Sequence, residues 1–83
     1  MSQPEIILTR HAETVLAERA IDRRWVEQTL QQPDSTEADP ERGTVNAFRT
    51  IPEHGGRILR VTYVNDGDRL RVITAFFDRR RRR

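Results

Sequence analysis

Apolar and polar residues alternate along the second half of the chain, which is the pattern of β-strands. Two runs rich in β-branched and aromatic residues, 57–64 and 69–77, flank a turn sequence at 65–68. A two-residue turn at Asp66-Gly67 suits a β-hairpin, because glycine and aspartate tolerate positive φ. Residues 44–51 also alternate, and they predict a strand before the hairpin. The sequence therefore predicts an antiparallel three-stranded meander.

The first half of the chain has helical spacing instead. Residues 5–8 predict a short strand, Thr9 caps a helix over 10–20, and Asp22 caps a second helix over 23–32. The buried stripe of the first helix is predicted to comprise Ala12, Val15, Leu16 and Ala20, and that of the second Trp25, Val26, Thr29 and Leu30. Almost nothing joins the two helices, so we expect a tight helical hairpin.

The order of elements defines the fold class. Residues 35–43 are polar and acidic and predict a loop, with a frayed strand near 36–38 as the alternative. The order β-α-α-β-β-β predicts a two-layer α+β domain, in which the helical hairpin packs on one face of an antiparallel sheet. We expect residues 1–78 to form this single domain and the five arginines of 79–83 to form a disordered tail.

The predicted turn also sets the register of the hairpin. With Asp66-Gly67 as the turn, Arg60 faces Ile73 and Thr62 faces Arg71, so these four side chains share one exposed face. The other face is predicted to pack under the helices; it carries Leu59, Val61, Tyr63, Leu70, Val72 and Thr74.

Composition limits the class of protein. The 83 residues include no cysteine, which excludes disulfides and thiolate metal sites. No run is long enough for a membrane span, and the N-terminus lacks the features of a signal peptide, so we expect a cytoplasmic protein that does not enter membranes. The two histidines are far apart in sequence, and no phosphate loop or dinucleotide fingerprint is present. We therefore predict neither a metal nor a cofactor.

Charge is distributed unevenly. All 15 basic residues are arginines, which a GC-rich genome would explain, although arginine also binds phosphate and carboxylate through two hydrogen bonds at once. Residues 1–42 have a net charge of −4 and residues 43–83 a net charge of +6. Without the terminal run 79–83 the whole chain would be −3. That run either attracts nucleic acid, acidic proteins or anionic membranes, or is simply a solvated end.

Two sets of residues could carry chemistry. His11 and Arg19 lie in one helix, about 12 Å apart, where Arg19 could hold a scissile phosphate and His11 could act as general acid or base. The structural alternative is that His11 bonds the preceding loop and Arg19 interacts with the helix dipole. Arg60 and Arg71 form the best phosphate-binding candidate, and the alternative is a solvated face with carboxylate partners. Tyr63 is a further acid/base candidate, but its predicted place is in the core.

Three stretches of the chain resemble one bacterial family. HAETVLAERAI at 11–21 resembles the opening motif HAxxRxxxRGI of the domain-of-unknown-function family numbered 4258. RRWVEQTLQQPD resembles its second helix, and RLRVITAFFD resembles its final strand, so the resemblance covers about residues 6–78. Two positions depart from the motif: Val15 stands where the family usually has arginine, and Ala20 where it usually has glycine.

The family is similar in architecture to RelE/ParE-type toxins and to BrnT-like ribonuclease toxins. The resemblance implies a small basic domain that cleaves RNA or binds an antitoxin. We therefore predict a metal-independent endoribonuclease of a toxin–antitoxin system, with His11 and Arg71 as catalytic residues and Arg19, Arg60 and Arg71 as RNA-binding residues. Its partners would be RNA and an antitoxin protein. The alternative is a non-enzymatic module of the same fold that binds protein or nucleic acid, which the absence of arginine at position 15 favours. A homodimer through the exposed hairpin edge is a third interpretation.

Overall fold

The computed structural model describes residues 4–79, so residues 1–3 and most of the predicted tail, 80–83, lie outside the described residues. The elements in chain order are β1 (Glu5–Leu8), α1 (Arg10–Glu18), α2 (Arg23–Gln31), β2 (Ser35–Asp39), β3 (Thr44–Ile51), a 3₁₀ turn (Pro52–His54), β4 (Arg57–Asp66) and β5 (Arg69–Phe77). In this described part of the chain, neither helix has the length or the apolar composition to cross a membrane.

The five strands form one sheet in the order β1-β5-β4-β3-β2. Strands β2 to β5 form an antiparallel meander, and β1 joins the other side of β5 in parallel. Both helices pack on one face of this sheet, which confirms the predicted α+β architecture. The sheet is mixed rather than wholly antiparallel, because the two helices carry the chain back across the sheet before β2 begins.

The core lies between the helices and the sheet. Ala12 and Leu16 of α1 and Val26 of α2 are buried there, as the helical spacing predicts. The sheet residues in the same cluster are Ile51, Leu59, Val61, Val72 and Ala75. A core of this size removes mainly small and medium apolar side chains from water, and that burial is the main stabilising contribution to the fold.

The acidic segment between α2 and β3 contains a strand at 35–39, which confirms the alternative prediction of a strand near 36–38. Residues 35–39 pair along their whole length with β3, from Ser35 opposite Phe48 to Asp39 opposite Thr44. Four of the five side chains are exposed, so the segment has no buried apolar alternation by which periodicity would detect it. Its outer side is an edge of the sheet.

The predicted register of the hairpin is wrong. Asp66 pairs with Arg69, so the two-residue loop is Gly67-Asp68, and Gly67 has φ 63°. A β-bulge then places an extra residue, Ile73, between the pairs Tyr63–Val72 and Thr62–Thr74. A bulge shifts every later side chain of its strand to the other face.

The shifted turn and the bulge together change three predicted positions. Arg60 faces Phe76 instead of Ile73, and Arg71 faces Val64 instead of Thr62. Thr74, which was predicted for the core, lies on the face away from the helices. Ala75 and Phe77 take the core positions instead, opposite Val61 and Leu59.

The first helix is shorter than predicted. It ends at Glu18, and Ala20 is exposed with φ 54°, in the left-handed region, rather than buried in the helical stripe. The N–H of Ile21 donates to the carbonyl of Leu16 over 2.9 Å, and that of Ala20 donates to Ala17 over 3.3 Å. These two bonds form a Schellman-type ending, which turns the chain directly into α2.

Candidate functional site

The sheet face opposite α1 and α2 carries most of the predicted site, and we call it the open face. By register, its central residues are Asn46 and Phe48 of β3, Arg60, Thr62 and Val64 of β4, and Arg71, Thr74 and Phe76 of β5. It therefore combines two arginines, two phenylalanines and a row of hydroxyl and amide groups on one surface.

Arg60 lies between two phenyl rings at the centre of the open face. Its guanidinium carbon is 5.2 Å from the ring centroid of Phe76 and 5.9 Å from that of Phe48. Phe48 is only 2% exposed, and the Nε of Arg60 is buried with no hydrogen-bond partner among residues 4–79. The two phenyl rings thus hold the Arg60 side chain by cation–π contact. Because the rings carry no net charge, these contacts do not neutralise the positive charge of Arg60.

Arg19 reaches the same place from the helical layer. It caps the C-terminus of α1, and its Nη1 donates to the backbone carbonyl of Ala75 over 2.9 Å. Its guanidinium carbon lies 6.0 Å from the ring centroid of Phe76. The structure therefore brings two predicted RNA-binding residues, Arg19 and Arg60, to one phenyl ring.

Arg71 lies on the open face but apart from this pair. Its register partner is Val64, and Arg60 is four residues further along β4, about 13 Å away at the strand rise. Within residues 4–79, the exposed Arg71 side chain makes no hydrogen bond or ion pair. Its charge is thus available to an anion.

His11 is not brought together with Arg71. It is exposed in the first turn of α1, in the helical layer, whereas Arg71 belongs to the opposite face of the sheet. Among the described residues, the imidazole of His11 has no hydrogen-bond partner. Its role as acid or base stays a prediction.

A polar pair lies beside Arg60. The hydroxyl of Thr62 donates to Oδ1 of Asn46 over 2.6 Å, across the β3–β4 ladder. Both residues are half-buried on the open face. Sequence reasoning placed Thr62 on this face but did not connect it with Asn46, because the pairing of β3 with β4 cannot be read from either strand alone.

Other arginines of the sheet have structural contacts. Arg49 donates from Nη1 to the backbone carbonyl of Gln32 over 2.7 Å and so caps the C-terminus of α2. Arg69 forms an ion pair with Glu5 at 3.4 Å, which joins β5 to β1. These two residues are therefore poor candidates for ligand binding.

His54 is part of an aromatic cluster rather than a simple loop residue. Its ring stacks on Phe77 with the centroids 4.2 Å apart, and Trp25 lies 5.4 Å from His54 and 5.9 Å from Phe77. This cluster fixes the Pro52–His54 turn on α2 and β5. Among residues 4–79, no three histidine or carboxylate side chains come close enough together to hold a metal ion.

Comparison with known proteins places the chain in one family. The family model described as "Domain of unknown function (DUF4258)" matches residues 8–77, which confirms the resemblance in the helix and hairpin motifs. Searches of curated proteins and of solved structures find no match. The likeness to RelE/ParE-type and BrnT-like toxins therefore stays a prediction.

Proposed function

This chain belongs to the DUF4258 family, and we propose that it is an RNA-binding domain whose open face holds the phosphates of a single strand. The observation that carries the proposal is the Arg19–Phe76–Arg60 arrangement, in which two guanidinium groups flank one phenyl ring at 6.0 and 5.2 Å. Two guanidinium groups near one ring concentrate positive charge there, which favours the binding of an anion at this place.

The chemistry of the open face suits a single strand. An arginine fork donates two parallel hydrogen bonds to phosphate oxygens, and unpaired bases stack on guanidinium planes. Arg71, about 13 Å from Arg60 along the sheet, supplies a second charge for another phosphate of the same strand. The paired bases of a duplex would not reach this surface, since their faces are stacked on one another.

Titration of single-stranded RNA at several salt concentrations tests this function. Three arginine–phosphate contacts contribute about −2 to the slope of log affinity against log salt. We expect Arg60→Ala and Arg71→Ala each to weaken binding and to reduce the slope by about 0.7. Arg10→Ala, an exposed arginine in the helical layer, is the matched control and should leave the slope unchanged. Salt-independent binding, or equal losses in all three variants, would contradict the proposal.

A second candidate is the toxin-like ribonuclease that the resemblance implies. The observation that favours it is the same pair of charges, because Arg19 and Arg60 could stabilise the negative charge that develops at a phosphate during attack by the 2′-hydroxyl. His11, the predicted acid or base, would take the proton of the 2′-hydroxyl, and water would protonate the departing 5′-oxygen. An antitoxin would then cover the open face or add a strand to the edge at β2.

Controlled expression in a bacterial host separates the two candidates. A ribonuclease toxin should stop growth and fragment cellular RNA, and both effects should disappear in His11→Ala and Arg60→Ala. Normal growth with intact RNA, alongside salt-dependent RNA binding by the purified chain, would exclude the toxin and leave the binding domain.

A further inference from the structure

The Asn46–Thr62 pair lies next to the phosphate-binding arginine. Asn46 and Thr62 face each other across the β3–β4 ladder, as do Phe48 and Arg60 two residues further along. At the strand rise, the two pairs are about 7 Å apart on the same face. A nucleotide whose phosphate contacts Arg60 can therefore place its base at Asn46.

The hydrogen bond within this pair defines what Asn46 can recognise. A side-chain amide has one carbonyl acceptor and one NH₂ group with two donors. The hydroxyl of Thr62 donates to the carbonyl oxygen of Asn46 over 2.6 Å, so it fills one of the two acceptor positions of that oxygen and directs it towards β4. Within residues 4–79 the Nδ2 group makes no hydrogen bond, so Asn46 offers both of its donors to an incoming base.

We propose that Asn46 selects keto bases, uracil and guanine, over amino bases at the nucleotide that binds Arg60. The argument rests on the proposed RNA-binding function. Uracil carries an oxygen acceptor at the position where cytosine carries an amino donor, and guanine differs from adenine in the same way. A donor facing a donor leaves two polar groups unsatisfied, which costs binding energy.

Two RNA oligonucleotides isolate this difference. U10 and C10 have the same backbone and the same length, and both are pyrimidine strands. We expect the full chain to bind U10 roughly threefold to tenfold more tightly than C10 at one salt concentration, as a single discriminating hydrogen bond implies. Asn46→Ala should bring the ratio of the two affinities close to one.

Two further variants keep the test independent of folding. Thr62→Val keeps the amide of Asn46 but removes the hydrogen bond that orients it. The ratio of U10 affinity to C10 affinity should therefore fall while U10 still binds. Asn65→Ala removes an exposed asparagine from the hairpin end of β4 and serves as the matched control, with the ratio unchanged. Urea unfolding of each variant verifies that it is folded.

The outcomes distinguish this inference from the function on which it rests. Equal, salt-dependent binding of U10 and C10 would overturn base selection by Asn46 and leave RNA binding intact. A preference for C10 would also overturn it, because an acceptor, such as the carboxylate of Glu37 opposite Asn46 in β2, would then be contacting the base. Failure of both oligonucleotides to bind would overturn the proposed function itself.

Discussion

The backbone conformation at position 20 explains why the family motif has glycine there. The motif has glycine there, this chain has Ala20, and the structure places it at φ 54° directly after α1. An L-residue in the left-handed region costs about 1–2 kcal/mol, whereas glycine adopts it freely but loses more chain entropy on folding. We therefore expect Ala20→Gly to stabilise the protein by up to about 1 kcal/mol in urea unfolding.

The matched control for this prediction is in the same helix. Ala17 is exposed within α1, where glycine is unfavourable. Ala17→Gly should lower the free energy of unfolding by about 1 kcal/mol. Opposite signs for the two substitutions would assign the effect to backbone conformation; a loss of stability in both would contradict the strain at Ala20.

The arginines of the site mark the limit of prediction at the residue scale. Arg60 and Arg71 were recognisable as exposed candidates, because charged residues in an alternating strand lie away from the core. The contacts of Arg60 with Phe48 and Phe76 were not, since they depend on the register of three strands. Similarly, Val15 occupies the motif position of an arginine but is only 4% exposed, so here it contributes to packing rather than charge.

At the scale of elements, the start of α2 depends on one ionised side chain. Asp22 accepts a hydrogen bond from the backbone N–H of Arg24 over 2.9 Å and another from the Arg24 guanidinium over 3.3 Å. The backbone bond is the main cause that lowers the pKa of Asp22, followed by the side-chain bond. A carboxyl whose pKa is lowered by folding stabilises the folded state above its ordinary pKa and loses that contribution as the pH falls through the lowered value.

The lowered pKa of Asp22 predicts how the stability of Asp22→Asn depends on pH. The amide still accepts the backbone hydrogen bond but cannot ionise. The wild type should therefore be more stable than the variant at neutral pH, and the difference should shrink below about pH 4, the usual range for aspartate. Urea unfolding from pH 7 down to pH 2.5 measures it. A difference that stays constant across this range would contradict a role for the charge.

The final strand marks the limit of prediction at the element scale. Both strands of the hairpin were predictable from alternation and turn residues, but the bulge at Ile73 was not. Residues 72–77 form a nearly unbroken apolar run in which either alternate set could face the core. Ala75 and Phe77 take the core positions, because they fill the space under the helices opposite Val61 and Leu59. Phe76 was thereby placed beside Arg60.

At the scale of the molecule, the order of elements was predictable and part of their assembly was not. The switch from helical spacing to alternation defines an α+β chain, and short connections make neighbouring strands pair. The parallel pairing of β1 with β5 leaves no mark in the sequence, since β1 has only four residues and its partner lies more than sixty residues later. The mostly exposed β2 was predictable only as a frayed strand, as an alternative to a loop, because it buries no apolar side chain.

The terminal arginines provide the last prediction, which concerns the charge of the whole chain. Replacing residues 79–83 with serines changes the net charge from +2 to −3 and leaves the length unchanged. Long-range attraction to RNA acts through net charge and is screened by salt, whereas a hydrogen bond from Asn46 acts only at contact. We expect the serine variant to bind U10 more weakly at low salt, with the difference narrowing as salt increases, and to keep the ratio of U10 to C10 affinity. Urea unfolding should match the wild type, because Phe77 is the last described residue that packs against the core. If the serine variant instead bound U10 and C10 equally, the terminal arginines would be contacting the bases directly.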